Sequence, residues 1–287
     1  IVVRATDTLE TLKEKAVIAS ILGTIQSSFT NFKYLRKCWK ESCEEERLLG
    51  VSLTGVCDNI ELLSKETLNE LKELVISTNA EWAAYLGIPA STATTCVKPS
   101  GTVSQLVASA SGLHRRHSPF YLRTIRGDNK DPLTKFLKAE GVYSEPCVMK
   151  PDETTVFYFP IKSPDGAKTR EDETAIEALE LWKHVQDNWC EHKPSATITV
   201  REEEWMDVFA WVYKNFDRLS GVSFLPYDGG DYKQLPYTEV TKEEYEAWLV
   251  EHPSPEIDWD KLRDFETEDH TTASQELACS GGFCEIV

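Results

Sequence analysis

Long hydrophobic runs are missing from this sequence of 287 residues. No uninterrupted apolar stretch approaches the roughly 20 residues that a membrane-spanning helix needs. The opening stretch, "IVVRATDTLE", also lacks the basic and then apolar layout of a secretion signal. These two absences predict a soluble protein of the cytoplasm that has no membrane partner.

Positive charge is scarce as well. The chain has 31 basic residues against 48 acidic ones, which gives a formal net charge of −17. Because neutralising the phosphates of a nucleic acid needs clustered Lys and Arg, this balance argues against a nucleic-acid partner. A small phosphate-bearing ligand is still compatible with it, since one local pocket can be positive within an acidic protein.

Cysteine is too sparse for a small disulfide scaffold. The chain has eight cysteines, and without a secretion signal we expect most of them to be reduced thiols. Free cysteine often serves as a small buried apolar side chain, which is the role expected for Cys38, Cys43, Cys57, Cys96, Cys147 and Cys190. Cys279 and Cys284 form a separate pair near the last residue.

The sequence does contain an alternation of apolar strands and amphipathic helices, which predicts an α/β fold with a parallel sheet and helical crossovers. Asp7 and Glu10 have the spacing of a capping box. The long helix expected after them has Leu9, Leu12, Ala16, Ala19 and Leu22 at helical spacing. A second long helix is predicted from Ser64 to Gly87, with Leu68, Leu71, Val75, Thr78, Trp82 and Tyr85 on its inner face.

Further elements are predicted downstream: strands at 154–162 and 195–200, helices at 172–192 and 202–216, and a strand that ends in a glycine turn within 221–230. Near the end the apolar periodicity disappears, while charged residues, small residues and Gly281-Gly282 accumulate. Segments of that composition do not bury enough apolar surface to order. We therefore expect residues 266–287 to form a flexible tail.

A turn of chemical interest follows an apolar segment, in the stretch Lys98-Pro99-Ser100-Gly101-Thr102-Val103-Ser104. Glycine permits a tight turn there, and the hydroxyl groups surround an expected helix N-terminus, whose outward N–H groups attract anions. The residues alone leave two hypotheses open: a phosphate site, to which Lys98 adds charge, or a well-capped turn without a ligand. The order Gly-Lys-Ser/Thr is absent, so this is not a Walker A loop.

The segment Gly112-Leu113-His114-Arg115-Arg116-His117 is dense in titratable groups. It lines the same pocket as the turn, or it is a solvated loop that makes surface ion pairs. As a metal site it is weak, because no cysteine or carboxylate set stands nearby to complete four ligands. We predict no metal site, and these residues are not assigned a role.

The terminal stretch "LACSGGFC" places Cys279 and Cys284 on the expected tail. Zinc normally takes four ligands, and no second pair of suitable spacing occurs, which argues against a zinc half-site. The alternative that these two cysteines have no function remains open. The hypothesis we favour is a dithiol that cycles with a disulfide, because a mobile arm can visit two places and Gly-Gly lets the two sulfurs meet.

Several segments together resemble one family. They are "VVRATDTLETLKEKAVIASILGT", "RLLGVSLTG", "KPSGTVSQL", "SGLHRRHSPFYLRTIR", "WCEHKPSATITV", "VSFLPYDGGDYKQLPY" and the "CSGGFC" tail. In this order they resemble the adenosylcobalamin-dependent (class II) ribonucleotide reductases, and among those the monomeric ribonucleoside-triphosphate reductases. The resemblance runs over essentially the whole chain and is to the C-terminal portion of such enzymes.

The resemblance implies a fold and an activity. Residues 1–265 would form the C-terminal half of a ten-stranded α/β barrel, and residues 266–287 a redox-active tail. The reaction would convert ribonucleoside triphosphates to deoxyribonucleotides, the precursors for DNA replication, with adenosylcobalamin as the source of the radical. The family's radical cysteine stands in an Asn-x-Cys-x-Glu setting, which this sequence lacks. We therefore expect the chain to need a complementary N-terminal fragment and to be inactive alone.

The resemblance also assigns roles to residues. The phosphate groups of the substrate would be held by Pro99, Ser100, Gly101, Thr102, Val103 and Ser104. Cys279 and Cys284 would re-reduce an active-site disulfide and would then be reduced by thioredoxin. The segment at His114 departs from the family's usual Gly-Ile-His-Pro-Arg at Arg115, and no cobalamin signature of the type Asp-x-His-x-x-Gly occurs.

Two alternatives of other classes remain. One is a non-catalytic nucleotide-binding or assembly module that kept the fold and lost the chemistry. The other is a free-standing thiol oxidoreductase that uses only the terminal pair. A half barrel would also expose strand edges that closure normally removes, so we expect the lone chain to aggregate or to require its partner.

Overall fold

The structure is a computed structural model, and it describes residues 1–227 and 233–267. Helices and strands alternate through most of this length. The helices are α1 (Leu9–Ser27), α2 (Lys37–Glu46), α3 (Lys65–Leu86), α4 (Val103–Leu106), α5 (Pro132–Ala139), α6 (Ala175–Asn188), α7 (Trp205–Lys214), α8 (Lys242–Glu251) and α9 (Leu262–Phe265). The strands are β1 (Val51–Ser52), β2 (Thr95–Cys96), β3 (Phe120–Asp128), β4 (Ser144–Pro146), β5 (Thr154–Lys162), β6 (Ser195–Val200), β7 (Gly221–Pro226) and β8 (Tyr237–Glu239).

The chain divides into two compact units. The first consists of Ile1–Arg116 and Arg170–Tyr227, and the second contains His117–Thr169 together with the described part of Asp228–Val287. In the ranges that the structure describes, no helix combines the length and the apolar character needed to cross a membrane. The α/β class predicted from the sequence is confirmed.

In the first unit, α1 is capped one residue later than predicted. The Thr8 hydroxyl accepts the Thr11 N–H at 3.4 Å and the Thr11 hydroxyl accepts the Thr8 N–H at 3.0 Å, which makes Thr8 the N-cap. The predicted cap, Asp7, instead binds the Lys15 ammonium at 2.7 Å. An aspartate whose carboxylate is already used by a lysine is not free to cap the helix.

The buried face of α1 consists of Leu12, Ala16, Ser20 and Thr24. It packs on α3, and the Ser20 hydroxyl donates to the Val75 carbonyl at 2.8 Å across the helix pair. Because this face carries buried hydroxyl groups, the apolar pattern of the sequence identified the buried face of α1 only in part. Leu22 is exposed, contrary to its expected place on the inner face.

Both predicted ends of α3 are confirmed. The Ser64 hydroxyl accepts the Thr67 N–H at 3.2 Å, and Gly87 ends the helix in a left-handed conformation with φ of +69°. Leu68, Leu71 and Val75 are buried as expected. Tyr85, in contrast, is 82% exposed. It stands in the last turn of the helix, two residues before the glycine that ends it.

The first unit contains two parallel strand pairs. Val51 of β1 pairs with Thr95 of β2, and β6 runs parallel to β7 from Ser195↔Gly221 to Val200↔Pro226. Helix α7 lies between β6 and β7 in the sequence, so this part is the predicted strand–helix–strand crossover. Its core is filled by large side chains that are fully buried, among them Leu53, Leu68, Leu179, Trp182 and Trp189.

The second unit does not follow the parallel prediction. Its four strands are antiparallel in the order β4-β5-β3-β8. Asp128 at the end of β3 pairs with Thr154 at the start of β5, so the chain re-enters the sheet where it left it. The chain between β3 and β5, which includes α5 and β4, therefore leaves and returns at the same end of these strands. A parallel crossover would instead cross the face of the sheet to reach the opposite end.

Candidate phosphate-binding site

The turn after β2 lies beside the segment that leaves β1. The two strands are parallel neighbours, so their carboxyl ends meet at one sheet edge, where ligands of α/β proteins commonly bind. The Lys98 N–H donates to the Ser52 hydroxyl at 3.1 Å, and the Ser100 hydroxyl lies 2.6 Å from the Thr54 hydroxyl. The fold thus places the predicted turn at the end of two strands.

The backbone of this turn presents free donors. The Ser100 carbonyl accepts the Ser104 N–H at 2.8 Å, which closes one helical turn before α4. Within the part of the chain that the structure describes, the N–H groups of Gly101, Thr102 and Val103 have no acceptor. The first N–H groups of a helix are normally satisfied by a cap, water or a ligand. Three adjacent donors are therefore available to one anion.

One side chain of the turn is buried without a partner. Ser104 has 0% exposure, and its hydroxyl meets no hydrogen-bond partner among the described residues. An unsatisfied buried hydroxyl costs on the order of 1–3 kcal/mol. A ligand oxygen that accepts a hydrogen bond from that hydroxyl would remove the penalty. A solvated hydroxyl has no such penalty to remove, because water already satisfies it.

Two hydroxyl groups hold the turn in place. Ser111 accepts the Ser100 N–H at 3.2 Å through its Oγ, so this N–H is not available to a ligand. Thr54 accepts the Gly112 N–H at 3.0 Å and lies 3.1 Å from the Ala110 carbonyl. The segments around residues 54, 100 and 110 are thus tied together by side chain to backbone bonds.

Two glycines permit this convergence. Gly55 has φ of +75°, and a Cβ there would stand 2.5 Å from the Val3 carbonyl oxygen. Gly112 has φ of +54°, and a Cβ there would stand 3.1 Å from the Lys98 carbonyl oxygen. Both positions need the left-handed conformation and close backbone approach that glycine allows.

A buried ion pair supports the far side of the turn. The Arg116 guanidinium binds the Asp58 carboxylate with two hydrogen bonds of 3.1 and 3.0 Å, and Asp58 also accepts the Ala110 N–H at 2.8 Å. Arg116 donates in addition to the Ala108 carbonyl at 3.0 Å. Only 10% and 13% of the Arg116 and Asp58 side chains are exposed. The pair therefore fixes the loop that follows α4.

The remaining members of the His-Arg segment in this unit are structural too. Arg115 binds Glu173 at 2.8 Å with only 12% of its side chain exposed. Both ring nitrogens of His114 lie at hydrogen-bond distance from backbone groups, of Ser111 and of Thr197. Burial lowers the pKa of His114 below its ordinary value. The solvated-loop interpretation of these three residues is wrong, because their charged and polar atoms bind within the fold.

Two cations near the turn lack an internal counter-ion. In residues 1–227 and 233–267, no carboxylate lies within ion-pair distance of Lys98 or Arg4. Lys98 directly precedes the turn, and Arg4 donates to the Ala108 carbonyl at 3.3 Å. Lys98 and Arg4 keep their positive charge available to an anion, in a chain whose overall charge is negative.

Sequence inspection missed Thr54, Ser111 and Asp58. Thr54 stands directly after the apolar stretch "LLGVSL" and before Gly55, so its place at a strand end was the available signal. Asp58 and Ser111 gave no comparable signal, because their partners are between 11 and 58 residues away in the chain.

Three of the six cysteines that the structure describes have a raised thiol pKa. Burial raises the pKa of Cys57 and of Cys190 to about 12, and it also raises the pKa of Cys96. At Cys147 burial acts in the same direction, but hydrogen bonds with the backbone of Lys150 and Met149 and with Arg126 outweigh it and lower the pKa. Cys38 is exposed, so the prediction of a buried apolar role is wrong at this position. Cys279 and Cys284 lie outside the described residues. Among those described, no group of three or more His, Cys, Asp or Glu side chains could hold a metal ion.

Comparison with known proteins shows which proteins this chain is similar to. No protein-family model matches the chain. An adenosylcobalamin-dependent ribonucleoside-triphosphate reductase of Euglena gracilis is 33% identical over 220 residues, which is 72% of this chain and 30% of that protein. A probable adenosylcobalamin-dependent ribonucleoside-triphosphate reductase of Dictyostelium discoideum is 29% identical over 98% of this chain and 36% of its own length.

This chain is homologous to part of the adenosylcobalamin-dependent ribonucleoside-triphosphate reductases. The resemblance drawn from the motifs is therefore confirmed. The fold agrees: a crystal structure of a B12-dependent (class II) ribonucleotide reductase superposes with a TM-score of 0.71 at 22% identity, over 91% of this chain and 40% of that one. The chain spans only about a third of the length of these curated reductases, 30% and 36% for the two named.

Proposed function

We propose that this chain is the C-terminal portion of an adenosylcobalamin-dependent ribonucleotide reductase that converts ribonucleoside triphosphates to 2′-deoxyribonucleotides in the cytoplasm. Residues 1–265 contribute half of a ten-stranded α/β barrel, and a complementary N-terminal portion contributes the rest. The tail at 266–287 carries the reducing pair. The reductase relatives support this proposal by their similarity over most of the chain.

One observation carries the proposal: the turn at Ser100–Ser104 presents three free N–H groups and a buried, unpartnered Ser104 hydroxyl. A well-capped turn without a ligand would satisfy these donors internally. Phosphate oxygens accept such bonds, and bonds to a charged acceptor are stronger than bonds between neutral groups. We assign Pro99, Ser100, Gly101, Thr102, Val103 and Ser104 to the substrate phosphates.

The residues of the turn divide the work of binding. Pro99 and Gly101 shape the backbone, and the N–H groups of Gly101, Thr102 and Val103 donate to phosphate oxygens. Lys98 and Thr102 are exposed residues, and we assign the Lys98 ammonium and the Thr102 hydroxyl to the outer charge of a triphosphate. This arrangement holds one end of the substrate, which fixes the ribose for chemistry elsewhere in the enzyme.

Adenosylcobalamin supplies the radical chemistry when it is bound in the complete enzyme. Three of the described histidines are already engaged: His114 at both nitrogens, and His184 and His192 each with a ring nitrogen at hydrogen-bond distance from a backbone carbonyl oxygen, at 2.8 and 2.7 Å. No residue here is assigned to the cofactor, and no step is derived through it. Its contacts are proposed to lie in the complementary portion.

The terminal pair Cys279 and Cys284 is proposed to restore the active site after each turnover. Thiolate attack on an active-site disulfide forms a mixed disulfide, and the second cysteine of the pair displaces it. Two thiols of the tail become a disulfide while the active-site disulfide becomes two thiols, so the electrons balance. The dithiol of thioredoxin then reduces the tail by the same exchange.

Reconstitution tests this proposal. The chain is mixed with a complementary N-terminal reductase portion, ribonucleoside triphosphate, adenosylcobalamin and reduced thioredoxin, and deoxyribonucleotide is measured. We expect activity from the mixture and none from this chain alone. A mixture that binds nucleotide without turnover indicates the non-catalytic module, and disulfide reduction by the isolated chain indicates the thiol oxidoreductase.

The tail is tested within the same assay. Cys279→Ser and Cys284→Ser are expected to abolish turnover with thioredoxin while leaving turnover with dithiothreitol unchanged, because a small dithiol reaches the active site directly. Equal loss with both reductants would contradict the shuttle role and would place the cysteines in another function.

A further inference from the structure

The hydroxyl of Thr54 lies against the phosphate turn and has three partners. Thr54 is 7% exposed, and its Oγ1 stands 2.6 Å from the Ser100 hydroxyl, 3.1 Å from the Ala110 carbonyl and 3.0 Å from the Gly112 nitrogen. Thr54 lies within the segment "RLLGVSLTG", but the sequence motifs predict no role for it. A second hydroxyl near Ser100, on Ser111, is more distant at 3.5 Å.

A count of protons leaves two arrangements. The Gly112 N–H can only donate, so it uses one lone pair of Thr54. If Thr54 donates its single proton to the Ala110 carbonyl, the 2.6 Å contact requires Ser100 to donate to Thr54. If Thr54 instead donates to Ser100, the proton of Ser100 is free for a ligand.

The Ala110 carbonyl tolerates both arrangements. It also accepts the Gly55 N–H at 2.8 Å and the Ser109 hydroxyl at 3.1 Å, so it keeps two donors when Thr54 turns away. A buried carbonyl with two remaining donors does not incur the penalty of an unsatisfied group. The rotation of two hydroxyl groups breaks no covalent bond and needs no external proton.

We propose that Thr54 is a positioning residue that switches the Ser100 hydroxyl between these two arrangements. Without an anion, Ser100 donates to Thr54 and Thr54 donates to Ala110. When a phosphate group enters the turn, Thr54 donates to Ser100 and Ser100 donates to a phosphate oxygen. This inference rests on the proposed phosphate-binding function of residues 99–104.

Titration calorimetry of the 287-residue chain with inorganic triphosphate tests the proposal. Thr54→Val keeps the shape of the side chain and removes the hydroxyl, and Thr54→Ser keeps the hydroxyl. Thr54→Val removes the donor that orients the Ser100 hydroxyl, so we expect it to weaken binding by roughly threefold to tenfold. Thr54→Ser should bind within about twofold of the unaltered chain on the same scale.

A double-mutant cycle separates positioning from simple support of the fold. In a Ser100→Ala background, Thr54 has no Ser100 hydroxyl to orient, so Thr54→Val should cause no further loss of triphosphate affinity. A purely structural role at Ala110 and Gly112 would persist in that background. Thr24→Val is the matched control, because the buried Thr24 hydroxyl also donates to a carbonyl, that of Ser20 at 2.7 Å.

The outcomes are distinct. Triphosphate binding by the unaltered chain, with equal binding by Thr54→Val, overturns the switch and leaves the phosphate turn standing. Equal losses for Thr54→Val with and without Ser100→Ala also overturn it. No triphosphate binding by the unaltered chain overturns the turn and the switch together. If Thr54→Val does not unfold cooperatively, Thr54→Ala replaces it in the same cycle.

Discussion

At the residue scale, removal of the buried Ser104 hydroxyl should affect ligand binding without lowering stability. Because this hydroxyl has no partner among the described residues, Ser104→Ala should leave the thermal midpoint of the free chain unchanged or raised. The same change should weaken inorganic triphosphate binding several-fold, as measured by calorimetry. Ser20→Ala is the control, since Ser20 is equally buried but donates to Val75, and it should lower the midpoint without affecting binding.

The pair of Asp58 and Arg116 is the residue-scale contact on which stability depends most clearly. Asp58→Ala leaves the nearly buried Arg116 guanidinium without its carboxylate and the Ala110 N–H without its acceptor. Removing one partner of a buried pair typically costs about 3–5 kcal/mol in the free energy of unfolding. Urea denaturation measures this loss. Glu41→Ala, which breaks the exposed pair with Lys37, should change stability by less than about 0.5 kcal/mol.

His114 makes the stability of the chain depend on pH. Burial lowers its pKa in the folded state, so the unfolded chain takes up the proton first as the pH falls. The neutral ring's contribution is complete above its unfolded pKa of about 6.5 and decreases as the pH falls below that value. In His114→Gln, the thermal midpoint should therefore decrease less between pH 7.5 and pH 5.5 than it does in the unaltered chain. An unchanged slope in His114→Gln would contradict this, and His192→Gln is the control.

At the scale of elements, alanine substitutions at two glycines with a left-handed backbone distinguish the cost of conformational strain from the cost of steric crowding. Gly87 ends α3 with φ of +69°, and a Cβ there would meet nothing within 4 Å. Gly55 follows β1 with φ of +75°, and a Cβ there would collide with the Val3 carbonyl at 2.5 Å. Gly87→Ala should cost about 1–2 kcal/mol, the usual penalty of that backbone region.

Gly55→Ala should lower the free energy of unfolding clearly more than Gly87→Ala does. Both changes introduce conformational strain, but at Gly55 the neighbouring backbone must also move. The measurement is the midpoint of urea unfolding for both variants, under the same conditions. Equal costs at the two positions would mean that the contact between Gly55 and Val3 yields easily, and would contradict the tight convergence at the end of β1.

At the scale of the whole molecule, the proposal that this chain completes a barrel with another portion predicts its solution behaviour. The first unit carries a cavity of about 930 Å³ between α1 and α2, and it exposes Leu22, Phe29 and Trp39 there. Exposed apolar surface of this kind favours association. Light scattering should show oligomers or aggregates of the lone chain, and a lighter, uniform complex once the complementary portion is added. A monodisperse monomer alone would contradict this.

The local sequence determined the elements whose signals are local. Ser64 and Gly87 bounded α3 because a hydroxyl cap and a left-handed glycine act within one helical turn, and the strands at 154–162 and 195–200 were located by their β-branched and aromatic residues. The turn at residues 99–104 was recognisable for the same reason. Its hydroxyls, glycine and proline are adjacent in the chain.

Tertiary structure alone decided the rest. The antiparallel register of β3 and β5, the exposure of Leu22 and the capping of α1 by Thr8 depend on which distant groups meet. Thr54 and Ser100 are 46 residues apart in the chain, and they meet only because β1 and β2 are parallel neighbours. The sequence by itself specified which groups can donate hydrogen bonds at the turn. Long-range strand pairing decided which of those donors are used internally and which remain for an anion.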